Sequence, residues 1–444
     1  MPVKIHGKLA PAQILAGGFA LTILAGTLLL MLPAAAREGS LPFTAALFTA
    51  TSAVCVTGLV VVDTGTYFTL FGQLVILSLL QIGGLGFMTM ASSIFLVLGR
   101  KITLRERLVM QETLNQFSLS GLAELTKIIV VMSFAIEGVG AFLLSLRFVP
   151  QFGFWEGIYK GIFHAVSAYC NAGFDIMGNY QSLTAYAGDY WVSGIIMALY
   201  ILGGIGFVVL LEVYEERRFR KLSLHAKFVL LITLFLLAVA TLFILGMEAG
   251  NPLTLGALEG GEKVLAAFFT AASPRTAGFN TVPTDMLTMS SKFFIIGLMF
   301  IGASPASTGG GIKTTTMGIL FWTALSVIRG DEDVTLLKRN IPLKIIKKSL
   351  AIVLFSLLLV FTVTLVLTAT EGAAFLDVFF ESVSAFGTVG LSLGLTPELS
   401  PVGRIILSLT MFAGRIGPLT MVLVLTKRMG KSMLKYPDEN IMIG

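Results

Sequence analysis

Apolar positions in this chain neither alternate nor keep to one helical face; they come in long runs. Uncharged tracts cover residues 9–36, 64–99, 190–211, 228–247 and 349–370. A helix crossing the hydrocarbon core needs about 20 mostly apolar residues, and each tract is that long. Helices apolar on every side belong in a large core or a bilayer. With the shorter apolar windows between the tracts, the pattern predicts an all-α polytopic membrane protein. Its eight spans lie near 13–33, 68–98, 127–149, 190–212, 226–247, 292–328, 346–369 and 400–426.

Between the two spans of each successive pair lies a stretch too apolar for an ordinary loop and too short to cross. These are residues 41–62, 157–175, 264–282 and 373–395, and such short apolar stretches are re-entrant more often than spanning. They repeat one another: 48–58 reads FTATSAVCVTG, 163–173 FHAVSAYCNAG, 268–278 FFTAASPRTAG and 380–390 FESVSAFGTVG. A Phe stands ten residues before the Gly in all four, and the Gly-to-Gly intervals are 115, 105 and 112. The following spans echo too, with IGGLGF at 82–87 and LGGIGF at 202–207. The chain therefore divides into four repeats of span, pore loop and span: 1–124, 125–224, 225–340 and 341–444.

Composition agrees. Apolar residues make up 55% of the 444 and charged ones 13%, against about 25% charged in soluble domains. Two cysteines make no disulfide framework, and three scattered histidines make no metal cluster. The tract at 9–36 has no convincing cleavage site and is read as a retained helix. The +6 net charge needs no nucleic acid: of 31 Lys and Arg, 22 fall in segments 1–12, 99–127, 213–227, 329–348 and 427–444. The positive-inside bias puts these five segments, and so both termini, in the cytoplasm. Anionic lipid heads are natural partners for them.

Irregular backbone at membrane depth must be buried in protein or line water. Four equivalent loops around an axis would set four strips of carbonyl oxygens around one path, where they can replace the water shell of a monovalent cation. Each short helix before a loop would aim its partly negative C-terminal end at the ion. Glycine allows the positive φ that turns successive carbonyls one way. Close helix packing explains a single glycine equally well, but not four at one offset in four matching units.

On these loops, the Gly-Gly-x-Gly-Phe spans and the eight-span length, the whole chain resembles the Trk/Ktr/HKT superfamily of potassium transporters, and within it the Ktr branch. The resemblance implies four pseudo-repeats around one pore per subunit, in a homodimer in the bacterial plasma (inner) membrane. It also implies a cytoplasmic ring of nucleotide-binding RCK-domain subunits, so any nucleotide sits on a partner and this chain carries no cofactor. Carried over by position, the filter is Val56, Thr57, Gly58; Asn171, Ala172, Gly173; Thr276, Ala277, Gly278; and Thr388, Val389, Gly390. Potassium is the substrate, with sodium as an activator. Gly58 accords with potassium, since a Ser at this position accompanies sodium selectivity in the plant branch. No Tyr follows any filter Gly, which departs from ordinary potassium channels and leaves fewer well-formed sites.

The sixth span is unlike the others. Segment 302–313 reads GASPASTGGGIK, and its Gly and Pro both oppose a continuous helix. In the family this is the gate loop, 302–312, below the filter: Gly302, Ser304, Ser307, Thr308, Gly309, Gly310 and Gly311. Lys313 joins it as a weaker candidate, read also as a cytoplasmic-mouth residue. Arg415 lies within the last span, with no carboxylate within ten residues. An intramembrane charge faces the protein interior, so carbonyls or hydroxyls of 302–311 are its expected partners, as they are for the family's equivalent Arg. Glu137 reads as a structural hydrogen-bond group more than a proton relay. Asp63, Asp175 and Glu381 are expected near the outer mouth, where negative charge concentrates cations.

Potassium uptake through a gated pore is thus the leading function. A sodium-conducting relative is the nearest alternative. A secondary transporter with a midplane site is further off, because such folds usually invert their repeats and these four all start on one side. No pore segment carries paired carboxylates or a nucleophile motif that would make an enzyme.

Overall fold

The computed structural model describes residues 11–87, 89–92, 108, 122–331, 333–417, 420, 421, 437, 439 and 442. Most of the basic segments 1–12, 99–127 and 427–444, and the far ends of spans 68–98 and 400–426, lie outside the described residues. The regular structure among the described residues is helical apart from a two-residue antiparallel ribbon, Thr335–Leu336 with Arg339–Asn340.

Each of the four stretches of chain lays down a long helix, a short one, an irregular turn and a further helix. The first stretch has α1 (Pro11–Leu30), α2 (Phe43–Val54) and α3 (Leu70–Leu85). The second has α4 (Leu122–Phe152), α5 (Phe154–Tyr169), α6 (Tyr190–Ile205) and α7 (Phe207–Glu216). The third has α8 (Leu224–Glu248), α9 (Gly260–Ala272), α10 (Met289–Phe300) and α11 (Thr314–Arg329). The fourth has α12 (Leu343–Thr370), α13 (Phe375–Gly387) and α14 (Pro401–Ile416). The chain enters α3, α6, α10 and α14 through side-chain caps at Thr69, Asp189, Thr288 and Ser400, each accepting a backbone N–H of the first turn.

Among the described residues four helices are long and apolar enough to cross a membrane, and five if α6 and α7 count as one bent crossing. The sequence pattern leads one to expect continuous spans at 68–98, 190–212 and 400–426. Instead α3, α6 and α14 stop at Gly86, Gly206 and Gly417, whose φ/ψ of 84/134, 106/134 and 95/135 are open to glycine alone. The turn between α6 and α7 reaches 98°. The sixth span also breaks, as its composition predicts, with α10 and α11 separated by residues 301–313.

The packing closes on itself. Helix α3 packs on α5, α6 on α9, α10 on α13 and α14 on α2, so every second long element leans on the next stretch's short helix and the last leans on the first. Phe48, Phe163 and Phe380 of the repeated motif are fully buried in this core, while Phe268 is half-buried. The short helices are thereby held in the middle, with the four turns after them facing one another.

Candidate functional site

The four turns share one backbone course. Val56, Asn171, Thr276 and Thr388 have φ of 56°, 56°, 71° and 51°; Gly58, Gly173, Gly278 and Gly390, two residues on, have 93°, 68°, 77° and 93°. Sequence reasoning assigned positive φ to the glycines only. For the β-branched Val56, Thr276 and Thr388 it is a true outlier, costing about 1–3 kcal/mol at each. Such strain persists only where surroundings enforce it, and here the short helices do. The amides of Thr57, Ala172, Ala277 and Val389 donate to the carbonyls of Ser52, Ser167, Ser273 and Ser384 over 2.8–2.9 Å. The same serines' hydroxyls accept from Gly58 N and Gly390 N (3.1 Å each) or donate to Phe174 O (2.6 Å) and Phe279 O (2.5 Å). These clamping serines were missed. Their signal was present, since Ser stands five or six residues before the glycine in every copy.

The glycines meet in a closed ring. A Cβ on Gly58 would stand 3.1 Å from Gly173 Cα; on Gly173, 2.9 Å from Gly278 Cα; on Gly278, 3.4 Å from Gly390 Cα; and on Gly390, 2.9 Å from Gly58 Cα. A Cβ at any of the four would come within 3.0 Å of a neighbouring turn's backbone and force it to shift. All four line the floor of a cavity of about 750 Å³, walled in part by Asp63, Asp175, Tyr180 and Asp285.

The acidic residues near this cavity differ from one another. Asp63 accepts from Thr66 N and Tyr180 N, both at 2.7 Å, and so ties two walls together. Burial pushes the Asp175 carboxyl up to about 6, with the Met177 amide opposing and the Asp63 carboxylate reinforcing the shift. Glu381 stands behind the wall of this mouth, one layer back from the lining residues Ser392 and Thr396. It is fully buried and accepts from Ser392 Oγ, Thr396 N and Thr396 Oγ1, bracing the turn after Gly390. Its place one residue after Phe380 puts it on the inner face of α13, where the motif packs.

Below the ring lies 301–313. Thr308 Oγ1 donates to Asn171 Oδ1 (3.1 Å), Asn171 Nδ2 to Thr276 Oγ1 (3.2 Å), and Gly310 N to Thr388 Oγ1 (3.0 Å). Three of the four turns thus touch this segment or one another by side chain. On its flank, Ser304 N and Thr308 N donate to Gly204 O (3.0 Å) and Gly203 O (3.2 Å), carbonyls freed where α6 breaks. Gly302 N pairs with Ile312 O (2.8 Å), Ser307 Oγ with Ser304 O (2.6 Å), and Gly311 N with Gly414 O (3.3 Å).

Two cations hold it. Arg415 donates through Nη1 to Thr308 O and through Nη2 to Gly83 O and, at 3.4 Å, Gly84 O, carbonyls of the last turn of α3. Lys313 Nζ donates to Gly309 O (2.6 Å) and Gly310 O (3.4 Å), so it braces the segment from within. Glu137 takes two 3.1 Å bonds from Gln81 Nε2 and faces the Cys170 thiol, a structural placement behind the second turn. Cys55 and Cys170 are buried and free, each capping a short helix.

The profile of the TrkH family, described as cation transport protein, matches residues 11–435. The chain is 47% identical over 437 residues to Ktr system potassium uptake protein B of Bacillus subtilis, covering 98% of this chain and 97% of that protein. It is 38% identical over 454 residues to the potassium/sodium uptake protein NtpJ of Enterococcus hirae, covering 100% and 99%. The crystal structure of the potassium transporter TrkH from Vibrio parahaemolyticus superimposes with a TM-score of 0.74, at 18% identity, over 95% of this chain and 86% of that one.

Proposed function

The chain belongs to the TrkH family of cation transport proteins, and on that premise we propose how it moves potassium. It is a multi-pass membrane transporter and not an enzyme, and it serves potassium uptake as the membrane subunit of a Ktr-type system. The ions pass through one pore at the centre of four pseudo-repeats, each with two crossings. Val56–Gly58, Asn171–Gly173, Thr276–Gly278 and Thr388–Gly390 form the filter, and 302–312 with Arg415 and Lys313 form the gate. The ring of four glycines at the foot of the cavity carries this reading. Carbonyls of these turns would supply the oxygen that a dehydrating cation needs, and the 301–313 segment, bonded to Asn171 and Thr388, would close the path below them.

The subunit works as a homodimer in the bacterial plasma membrane, with both termini and the basic segments in the cytoplasm. Sodium acts as activator rather than as the main cargo. Growth of a potassium-uptake-deficient bacterium at low potassium tests the function. Expression of the chain is expected to restore growth, and added sodium to enhance it; no growth in either medium would refute it. The second reading is sodium conduction, favoured by likeness to a potassium/sodium uptake protein. It predicts sodium uptake at rates comparable to potassium in vesicles.

A cytoplasmic ring of nucleotide-binding RCK subunits docks on the basic face. The loop with Arg217, Arg218, Arg220 and Lys221, all exposed, supports this. Co-purification with a Ktr-type RCK subunit is expected to give a stable complex at low salt that weakens as salt rises, as screened charge predicts. Lipid binding alone predicts no complex.

A further inference from the structure

One offset in the four turns is occupied unequally. Three residues before the ring glycines stand Cys55, Cys170, Arg275 and Gly387. Three are small and neutral, and one is a cation. Arg275 is 8% exposed. Of its five donors, Nη2 reaches Thr233 Oγ1 on α8 at 3.3 Å, while Nε is buried with no partner. Among the described residues no carboxylate pairs with it. A lone buried charge is costly, and a neutral side chain of equal reach would avoid that cost. Its charge therefore needs a reason other than stability.

We propose that Arg275 sets the depth of the ion well: its fixed positive charge, just before the third turn, weakens cation binding in the filter so that ions leave it. Three peptide steps, a backbone reach of about 10 Å, separate it from Gly278, and from there its guanidinium runs to Thr233 on α8. Four helix ends and four strips of carbonyls all attract the ion, and conduction needs binding weak enough for exit. A unit charge about 10 Å from an ion in a protein-like medium changes its affinity on the order of tenfold. Thr233 holds the guanidinium in place from α8.

The inference rests on the four turns forming one ion path. Its test is rubidium uptake by the purified full chain in liposomes, comparing Arg275→Gln, Arg275→Lys and, as control, Gly278→Ser. Arg275→Gln is expected to lower KM about tenfold and to lower the maximal rate, since ions would leave slowly. Arg275→Lys keeps the charge and is expected to retain the original KM. A structural lesion would instead raise KM or cut yield in both. An unchanged or raised KM in Arg275→Gln, while Gly278→Ser alters the rubidium-to-sodium ratio, overturns the inference and leaves the ion path standing. If neither variant alters its readout, the ion path itself fails. Should Arg275→Gln not fold while Arg275→Lys does, the charge serves folding and the inference is likewise overturned.

Discussion

Serine at any one of Gly58, Gly173, Gly278 or Gly390 is expected to lower potassium preference over sodium by roughly tenfold or more, the factor that about 1.4 kcal/mol of lost discrimination gives. The cause is steric. A Cβ on Gly58 would meet Ala172 O at 2.5 Å, and one on Gly173 would meet Ala277 O at 3.0 Å. These are backbone oxygens of the neighbouring turn, so the neighbour's carbonyl must swing away from the ion path. Sodium, smaller and more tightly hydrated, depends less on a full ring of oxygens. The four positions should also differ. Gly58 and Gly390 sit at φ of 93°, further from the left-handed basin that other residues reach than Gly173 at 68° and Gly278 at 77°. Serine at the first pair should therefore cost more folded protein. Reversal potentials or ion-flux ratios measured in vesicles check this; unchanged ratios in all four variants would refute the filter.

How much of this could be read in the amino-acid order depends on how local each feature is. The four matching turns were legible because each copy repeats the same residues at the same offsets, and they share one backbone course. The broken sixth span was legible because Gly and Pro oppose a helix wherever they fall. Gly86, Gly206 and Gly417 were harder: a glycine in an apolar run serves close packing as readily as a break, and only the surroundings decide. Val56, Thr276 and Thr388 could not be read at all, since β-branched residues disfavour positive φ and are held there by serines of the preceding helix. Glu381 was placed near the mouth but not seen to be buried, since its partners Ser392 and Thr396, which line the cavity, come from a turn distant in the chain. The grip of Arg415 on α3 joins the two ends of the chain. The intramembrane charge beside the broken sixth span pointed to that segment, and Thr308 O is indeed one partner; the other, on α3, shows only once α14 is seen packed against the first stretch.

That grip leads to the second large effect. Arg415→Ala is expected to raise flux per folded molecule, with ion selectivity little changed. The guanidinium ties Thr308 O to Gly83 O and Gly84 O, and hydrogen bonds from a charged group are worth about 1.5–3 kcal/mol each. Losing even about 1.4 kcal/mol of preference for the tethered state shifts the open-to-closed ratio roughly tenfold. The segment would not be free in the variant: Lys313 still holds Gly309 O and Gly310 O, and Ser304 N and Thr308 N still pair with α6. Arg415→Lys, which keeps the charge but not the fork, should fall between. Shortening the segment at Gly309, Gly310 and Gly311 should act in the same direction, because it removes the part lying under Thr276 and Thr388. Filter glycines stay untouched in all of these, so ion ratios should hold. The competing account makes Arg415 a brace between α14 and α3, whose loss lowers yield alone. Single-vesicle flux normalised to folded protein separates the two, and reduced yield with unchanged flux per molecule would refute the gate.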